Sequence, residues 1–436
     1  MDKMKNFLHR PQSLRATGIR QERSLFSKGL KSLLLAGSLV FAACASAPVE
    51  MQPAARRAEL FPLMNAPLLS DASEVALGGF SGLVFEGADA DGSLVFWSPT
   101  DRGPNAASYT EDGKPQNEFR PFMIPDFAPR WIRFKLNKST REIEILSQVE
   151  LSAPNGRALT GLPNFEASPE RPGDEIPVNS KAEVLAMDPM GLDTEGLCFD
   201  SKSFGWMVEE YRPSIVKFDK SGKMIRRYVP VGSFSVREIK RIDKDYGEDA
   251  VMQVLPKELR QRKRNRGFEG VACLNDRVYA AMQSPLPGEG NKVRVIEFDP
   301  KEEEVTRELE YTLDDSVKAD KIGDLTSDGT HLYAIEQNDK TDMKNGIHNV
   351  YKLTVPARDS KDVKLQKTHF MDLMKMGFAF PKVEGLAFVS PKVLAVVSDN
   401  DFSLAGNLDL KTGKVPMDKS ARSTVGLIPT EEPPSP

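Results

Sequence analysis

The chain has 436 residues, 40% of them hydrophobic, and a formal charge of −4. It is long enough to bury one large core or two small ones. Beyond residue 43 it carries 51 basic against 61 acidic side chains, and no basic stripe is interleaved with aromatics, which excludes a general nucleic-acid binder.

Arg20, Arg23, Lys28 and Lys31 precede an apolar run, Leu33 to Ala43, too short to span a bilayer comfortably. The run ends Val40-Phe41-Ala42-Ala43-Cys44. This resembles a bacterial lipoprotein signal, which implies lipidation at Cys44. Phe41 stands where Leu is usual, so plain secretion and an uncleaved anchor stay open as alternatives. Ala45, rather than Asp, suits the outer membrane. The expected location is the bacterial cell envelope, lipid-anchored and facing the periplasm or the cell exterior. The expected organisation is a signal over 1–43, a tether over 44–74, a repeat domain over 75–415, and a closing segment with a disordered tail over 416–436.

Phe80 opens the first repeat, FSGLVFEGADADGSLVFWSPTDRGP. Its Asp89-x-Asp91 spacing lacks an EF-hand glutamate and reads as a solvated turn. Residues 131–149 supply outer strands, and 152–182 read as a long loop or partial blade. Leu192 opens the clearest copy, LDTEGLCFDSKSFGWMVEEYRPSIVKFD, which reads as three short strands. Glu195 precedes its first strand and Glu209 and Glu210 end its second, so the acids share one end of an antiparallel hairpin. A charged insertion follows. Residues 247–264 have helical periodicity, with Val251, Val254, Leu255 and Leu259 on one face, ahead of a basic run ending at Arg266. Three further copies begin at Phe268, Ile322 and Val383. In four copies an apolar residue (Leu197, Val271, Leu325, Leu386) stands twelve positions before a polar one (Glu209, Gln283, Gln337, Ser398). Sheet modules at this repeat length predict an all-β propeller, six blades favoured within a range of five to seven. Cys198 and Cys273 lie in first strands at repeat positions offset by one, hence facing opposite ways. Free thiols are expected, with a disulfide as the alternative.

Several stretches together carry a family resemblance. They are TDRGPN from Thr100, EEYRPSIVKFDKSGKMIRRYVPVG from Glu209, NRGFEG from Asn265 between LPKELRQRK and YAAMQSPL, and VEGLAF…VVSDNDF from Val383. Over residues 75–415 the chain resembles the phytase-like domain family labelled "esterase-like activity of phytase". The resemblance implies a β-propeller and points to ester or phosphoester chemistry. Two copies depart from the Glu-Gly pattern: Gly323-Asp324 reverses it, and Ser81 replaces the acid.

In a propeller the start of each innermost strand meets the end of the second at one face. That places Glu195, Glu269, Asp324 and Glu384 in a ring at the channel mouth, with Asp101, Glu209, Glu210, Asp339, Asp399, Asn400 and Asp401 around them. So many carboxylates cannot all ionise cheaply. Either some hold protons, or the glutamates cap neighbouring blades, or a cation neutralises them. Hard oxygen donors suit Ca²⁺ rather than zinc. Arg102, Arg212, Arg266 and Lys382 accompany the acids and either bind an anion or pair with neighbours. The expected catalytic set is Asp101, Arg102, Glu210, Arg212 and Arg266, with Glu195, Glu269, Asp324 and Glu384 on the metal. Serine-hydrolase chemistry fits poorly, because Gly79-Phe80-Ser81-Gly82-Leu83 breaks the G-x-S-x-G pattern and His331 falls at the opposite face. Two functions stay open: a metal-assisted hydrolase of a small anionic ester or phosphate, and a non-catalytic envelope propeller that binds a sugar, peptide or protein. A monomer anchored by lipid, without nucleic acid, is expected in either case.

Overall fold

The structure, a computed structural model, describes residues 57–70, 74–110, 113, 118–164, 174–314 and 318–430. The signal segment, Cys44 and the last six residues lie outside the described residues. The described residues are nearly all β, with one α-helix.

Five sheets of four or five strands follow one another. The first is built from Val84–Ala88, Leu94–Pro99, Arg130–Asn137 and Glu142–Glu150. The second runs Thr194–Phe199, Gly205–Glu209, Ser214–Phe218 and Met224–Pro230, and Val251–Leu255 adds in parallel at its outer edge. The third holds Phe268–Leu274, Arg277–Met282, Lys292–Asp299 and Glu304–Thr312. The fourth holds Lys321–Ser327, Leu332–Gln337, His348–Thr354 and Gln366–Asp372. The fifth joins Val383–Ser390, Val393–Ser398 and Thr424–Pro429 to Glu59–Pro62 from the other end of the chain. Glu59–Pro62, expected in the tether, is therefore an outer strand. Tyr109–Thr110, Glu118–Pro121 and Ile176–Val178 form a small three-stranded sheet beside these five.

The repeated Glu-Gly has a steric and a geometric cause. A Cβ on Gly270 would lie 2.3 Å from the Leu325 nitrogen, and one on Gly385 would lie 2.7 Å from the Gly82 carbonyl carbon. Only glycine lets the first strands of neighbouring sheets approach this closely. Cross-sheet bonds follow: Gly196 N–H donates to the Ser81 carbonyl and Ile322 N–H to the Gln283 carbonyl, both at 2.8 Å. Each of the last four first strands also shifts register at this dipeptide, skipping Gly196, Glu269, Gly323 or Glu384. A bulge re-aims side chains, and here it occurs where the acids sit.

Each sheet packs one face on the sheet before it and the other on the sheet after. Leu197 and Met207 of the second sheet pack with Trp131 of the first, while Trp206 and Tyr228 pack with Val278 and Phe298 of the third. This corrects the expectation of free thiols. Cys198 and Cys273 form a disulfide, with Cα atoms 5.7 Å apart. They do point to opposite faces, but opposite faces of adjacent sheets are the ones that meet.

The helical insertion is displaced from its expected place. The α-helix is Val236–Tyr246, started by a capping box in which Ser235 and Glu238 satisfy each other's backbone N–H. Val251 and Leu255 are the buried first and last residues of a strand, and Lys257–Gln261 is a short 3₁₀ turn after Pro256. Among the described residues no helix is long and apolar enough to cross a membrane.

Candidate functional site: a buried carboxylate cluster

The bulged strand starts, the ends of the second strands and the loop after Leu94–Pro99 bring many acids together. Asp101 belongs to two groups. Its carboxylate oxygen lies within 4.8 Å of oxygens from Asp193 and Glu195, and within the same distance of oxygens from Asp399 and Asp401. Asp101 is fixed by its own N–H, which donates to the Gly79 carbonyl at 2.7 Å.

Asp193 is 1% exposed. Its Oδ2 accepts from Arg102 Nη1 at 2.5 Å, and its Oδ1 has no hydrogen-bond partner among the described residues. Glu195 accepts from the Ser81 hydroxyl, so the serine that replaces an acid in the first repeat serves an acid of the second. Glu269 accepts from Gln283. Asp324 accepts from the Leu386 N–H at 2.7 Å and so ties the fourth sheet to the fifth. Lys382 pairs with Asp399 at 3.3 Å and with Asp401. Lys321 pairs with Asp339 at 2.6 Å.

Burial dominates the titration of this cluster. It holds Asp101, Asp193, Glu195, Asp324 and Glu384 well above the usual carboxylate range. Neighbouring carboxylates add to this: Asp193 acts on Asp101, Glu269 and Glu384 act on Glu195, and Asp399 acts on Glu384. Burial, with Glu269 next, lifts Glu210 to about 8. Burial lifts Glu269 to about 7 despite Lys321, and lifts Asp399 to about 7 with help from Asp401. Asp401 is the exception, since burial is outweighed there by Lys382, which holds it below its ordinary value.

The three expected anion-binding arginines have different fates. Arg102 faces Asp193, with Glu175 at 3.7 Å and Asp101 at 3.9 Å, and lies against the Tyr211 ring. Arg212 points elsewhere. Its guanidinium donates to the Ser233 and Asn164 carbonyls and stacks 3.9 Å from the Phe234 ring centre, so it braces loops. That corrects its expected place beside substrate; its position within a turn gave no hint of which way it would face. Arg266 is half-buried and acts electrostatically on Glu210 and Glu269. Among the described residues its guanidinium forms no ion pair. Glu209 is likewise structural, bonded to buried Arg227.

Two participants were not anticipated, Asp193 and Lys321. Asp193 stands two places before Glu195, and that acid-x-acid spacing ahead of a strand was the available signal. Beside Lys382, Asp399 and Asp401 opens a cleft of about 560 Å³ with Leu60, Phe380 and Leu404 in its walls.

The donor set is all hard oxygen, and one buried carboxylate oxygen is left unsatisfied within it. That combination fits a hard divalent cation such as Ca²⁺ and does not fit a soft one.

An uncharacterized secreted protein of Arthroderma benhamiae is 24% identical over 257 residues, which cover 51% of this chain and 49% of that protein. The chain thus spans about half the length of the curated relative it matches. Among solved structures, a GH43 β-1,3-galactosidase aligns with 85% of this chain and 94% of its own, at 10% identity and a TM-score of 0.40. A GH43 enzyme from Xanthomonas citri covers 86% of this chain and 91% of its own, at 9% identity and a TM-score of 0.36. These likenesses are too slight to bear on chemistry. The family described as "Phytase-like: Esterase-like activity of phytase" matches residues 75–402, three quarters of the sequence, and the chain belongs to that family.

Proposed function

We propose that this is an exported, lipid-anchored, propeller-type hydrolase whose acidic face uses a divalent cation, Ca²⁺, to cleave phosphate or other esters. The observation that carries this reading is the convergence of Asp101, Asp193, Glu195, Glu210, Glu269, Asp324, Glu384 and Asp399, all held above their ordinary titration range by burial. Such a cluster stores charge repulsion that a cation relieves. The five successive sheets favour five blades over six, with the three-stranded sheet as an insertion. The Cys198–Cys273 disulfide suits an oxidising compartment, and a curated relative is described as secreted. The basic, apolar N-terminal run ending at Cys44 supports the anchor in the cell envelope.

When bound, the cation polarises an ester oxygen and lowers the pKa of water. The chain's own residues do the rest. Glu195, Glu269, Asp324 and Glu384 set the negative field around it. Arg266, which forms no ion pair among the described residues, takes an anionic oxygen of the substrate. Glu210, raised to about 8, keeps its proton at neutral pH and can donate it to a leaving oxygen. Asp101 and Arg102 position Asp193 and the reacting group. The cleft beside Lys382 has room for the remainder of a small ester.

A second reading rests on Arg102 and Arg212 both being engaged by protein groups. It makes the chain a non-catalytic binding propeller. The two separate in a hydrolysis screen with aryl phosphates and aryl carboxylic esters. The hydrolase reading expects turnover of at least one class, lost on chelation, restored by Ca²⁺ and reduced at least about tenfold in Arg266→Ala. Turnover of neither class by folded, Ca²⁺-supplied protein rejects it.

A further inference from the structure

We infer that the cation is held by Asp101, Asp193 and Glu195, off the centre of the ring of first-strand acids, and that Lys382 serves in its place at Asp399 and Asp401. This deepens the reading above and rests on it for the role of the cation, though not for the ligand set.

The two groups of carboxylates around Asp101 are alike in spacing and differ in how they are satisfied. In the Asp399 group the buried carboxylate is satisfied on both oxygens within the chain. Asp399 Oδ1 accepts from the Asn400 and Asp401 N–H groups at 2.6 and 3.0 Å, and its Oδ2 faces Lys382. The same ammonium reaches Asp401. A built-in cation already sits there, and a second would meet it at close range.

The Asp193 group has no such arrangement. Arg102 engages Asp193 through Oδ2 alone. Oδ1 is buried, on a residue 1% exposed, and among the described residues no N–H or hydroxyl donates to it, its close neighbours being the acids Asp101 and Glu210. A buried carboxylate oxygen without a donor is costly, and native structures rarely tolerate one unless a water or ion fills the place. The bulge at Gly196 turns Glu195 out of simple alternation, and the Ser81 hydroxyl holds it in place. By contrast, two of the other ring acids already have partners, since Gln283 donates to Glu269 and the Leu386 N–H to Asp324.

The test is Ca²⁺ binding by the full chain, measured by equilibrium dialysis with melting followed in parallel. One ion per chain is expected. Asp193→Asn and Glu195→Gln should each weaken binding at least about tenfold, whereas Glu269→Gln and Glu384→Gln should weaken it less than either, because they alter the field and not the ligands. Removing a buried charge should not unfold the protein. In chelator Glu195→Gln should melt no lower than the parent and Asp193→Asn somewhat lower, because it also breaks the buried pair with Arg102, and both should lose the Ca²⁺-dependent rise. If either fails to fold, Asp101→Asn takes its place with the same expectation. Parental affinity in Asp193→Asn, together with loss in Glu269→Gln or Glu384→Gln, overturns the assignment and leaves the hydrolase reading intact. Loss in Asp193→Asn from a protein whose ester turnover ignores chelation upholds the ligand set and overturns the hydrolase reading. Absence of Ca²⁺ binding by the folded parent overturns both.

Discussion

Replacing Cys198 and Cys273 together with alanine is expected to cost about 4 kcal/mol of stability. The bond joins residues 75 apart in sequence and closes a loop spanning most of the second sheet, the helix and the start of the third. Constraint of the unfolded chain accounts for that magnitude. In the folded state the bridge also pins two first strands beside the bulges that aim Glu195 and Glu269. Urea unfolding with and without reductant measures it. The midpoint should fall on reduction and fall equally, without further response to reductant, in the double variant. A midpoint indifferent to reduction contradicts this account of the bridge. The same result should appear in the cell, where delivery to an oxidising compartment is required for full yield.

Arg227→Leu is expected to cost about 3–5 kcal/mol, because it leaves the buried Glu209 carboxylate without its cationic partner. Both side chains of this pair are fully buried, and Arg227 Nη2 donates to Glu209 Oε2 at 2.9 Å. The arginine also donates to Ser214 Oγ at 2.8 Å and to the Gly191 carbonyl at 3.0 Å. The carboxylate in turn accepts from Asn164 at 2.8 Å and from the Tyr211 N–H at 3.0 Å. The network therefore fixes both flanks of the turn that presents Glu210, and the approach to Asp193. Denaturant midpoints should show the loss. Glu209→Leu combined with Arg227→Leu should recover part of it, since apolar groups then replace both charges. A single-variant cost below about 1 kcal/mol would mean that water reaches the pair and that the core is less sealed than its burial indicates.

Much of this was legible in the amino-acid order. The hairpins announce themselves by alternation and by acids at one end. The twelve-residue spacing from Leu197 to Glu209 and from Val271 to Gln283 reflects one strand pair turning back on itself. What stayed hidden depends on contacts between sheets. The disulfide required knowing that opposite faces of neighbouring sheets meet, whereas strand periodicity shows only which face a residue takes. The bulges at Gly196, Glu269, Gly323 and Glu384 break that periodicity without changing its letters. The helix was misplaced because Val251, Val254 and Leu255 satisfy a helical period and a strand equally well over so short a run. The stronger signal, Ser235 three places before Glu238, lay upstream. Arg102 and Arg212 look alike in sequence, both beside acids or turns, and only the fold distinguishes a guanidinium facing the cluster from one bracing loops.

The central claim is that the buried acids hold a cation at neutral pH, and the most direct measurement is the melting temperature as a function of pH with and without Ca²⁺. Glu269 and Asp399, at about 7, and Glu210, at about 8, titrate above their unfolded values. The folded state therefore binds more protons than the unfolded one between about pH 4.5 and 8, and stability falls as pH rises through that window. In chelator the melting temperature should decline from pH 5 to pH 8. With millimolar Ca²⁺ the decline should be largely removed, by several degrees at pH 8 and little at pH 5, where protons already neutralise the cluster. An equal melting temperature with and without Ca²⁺ at pH 8 would contradict the account and leave the acids as a protonated structural core.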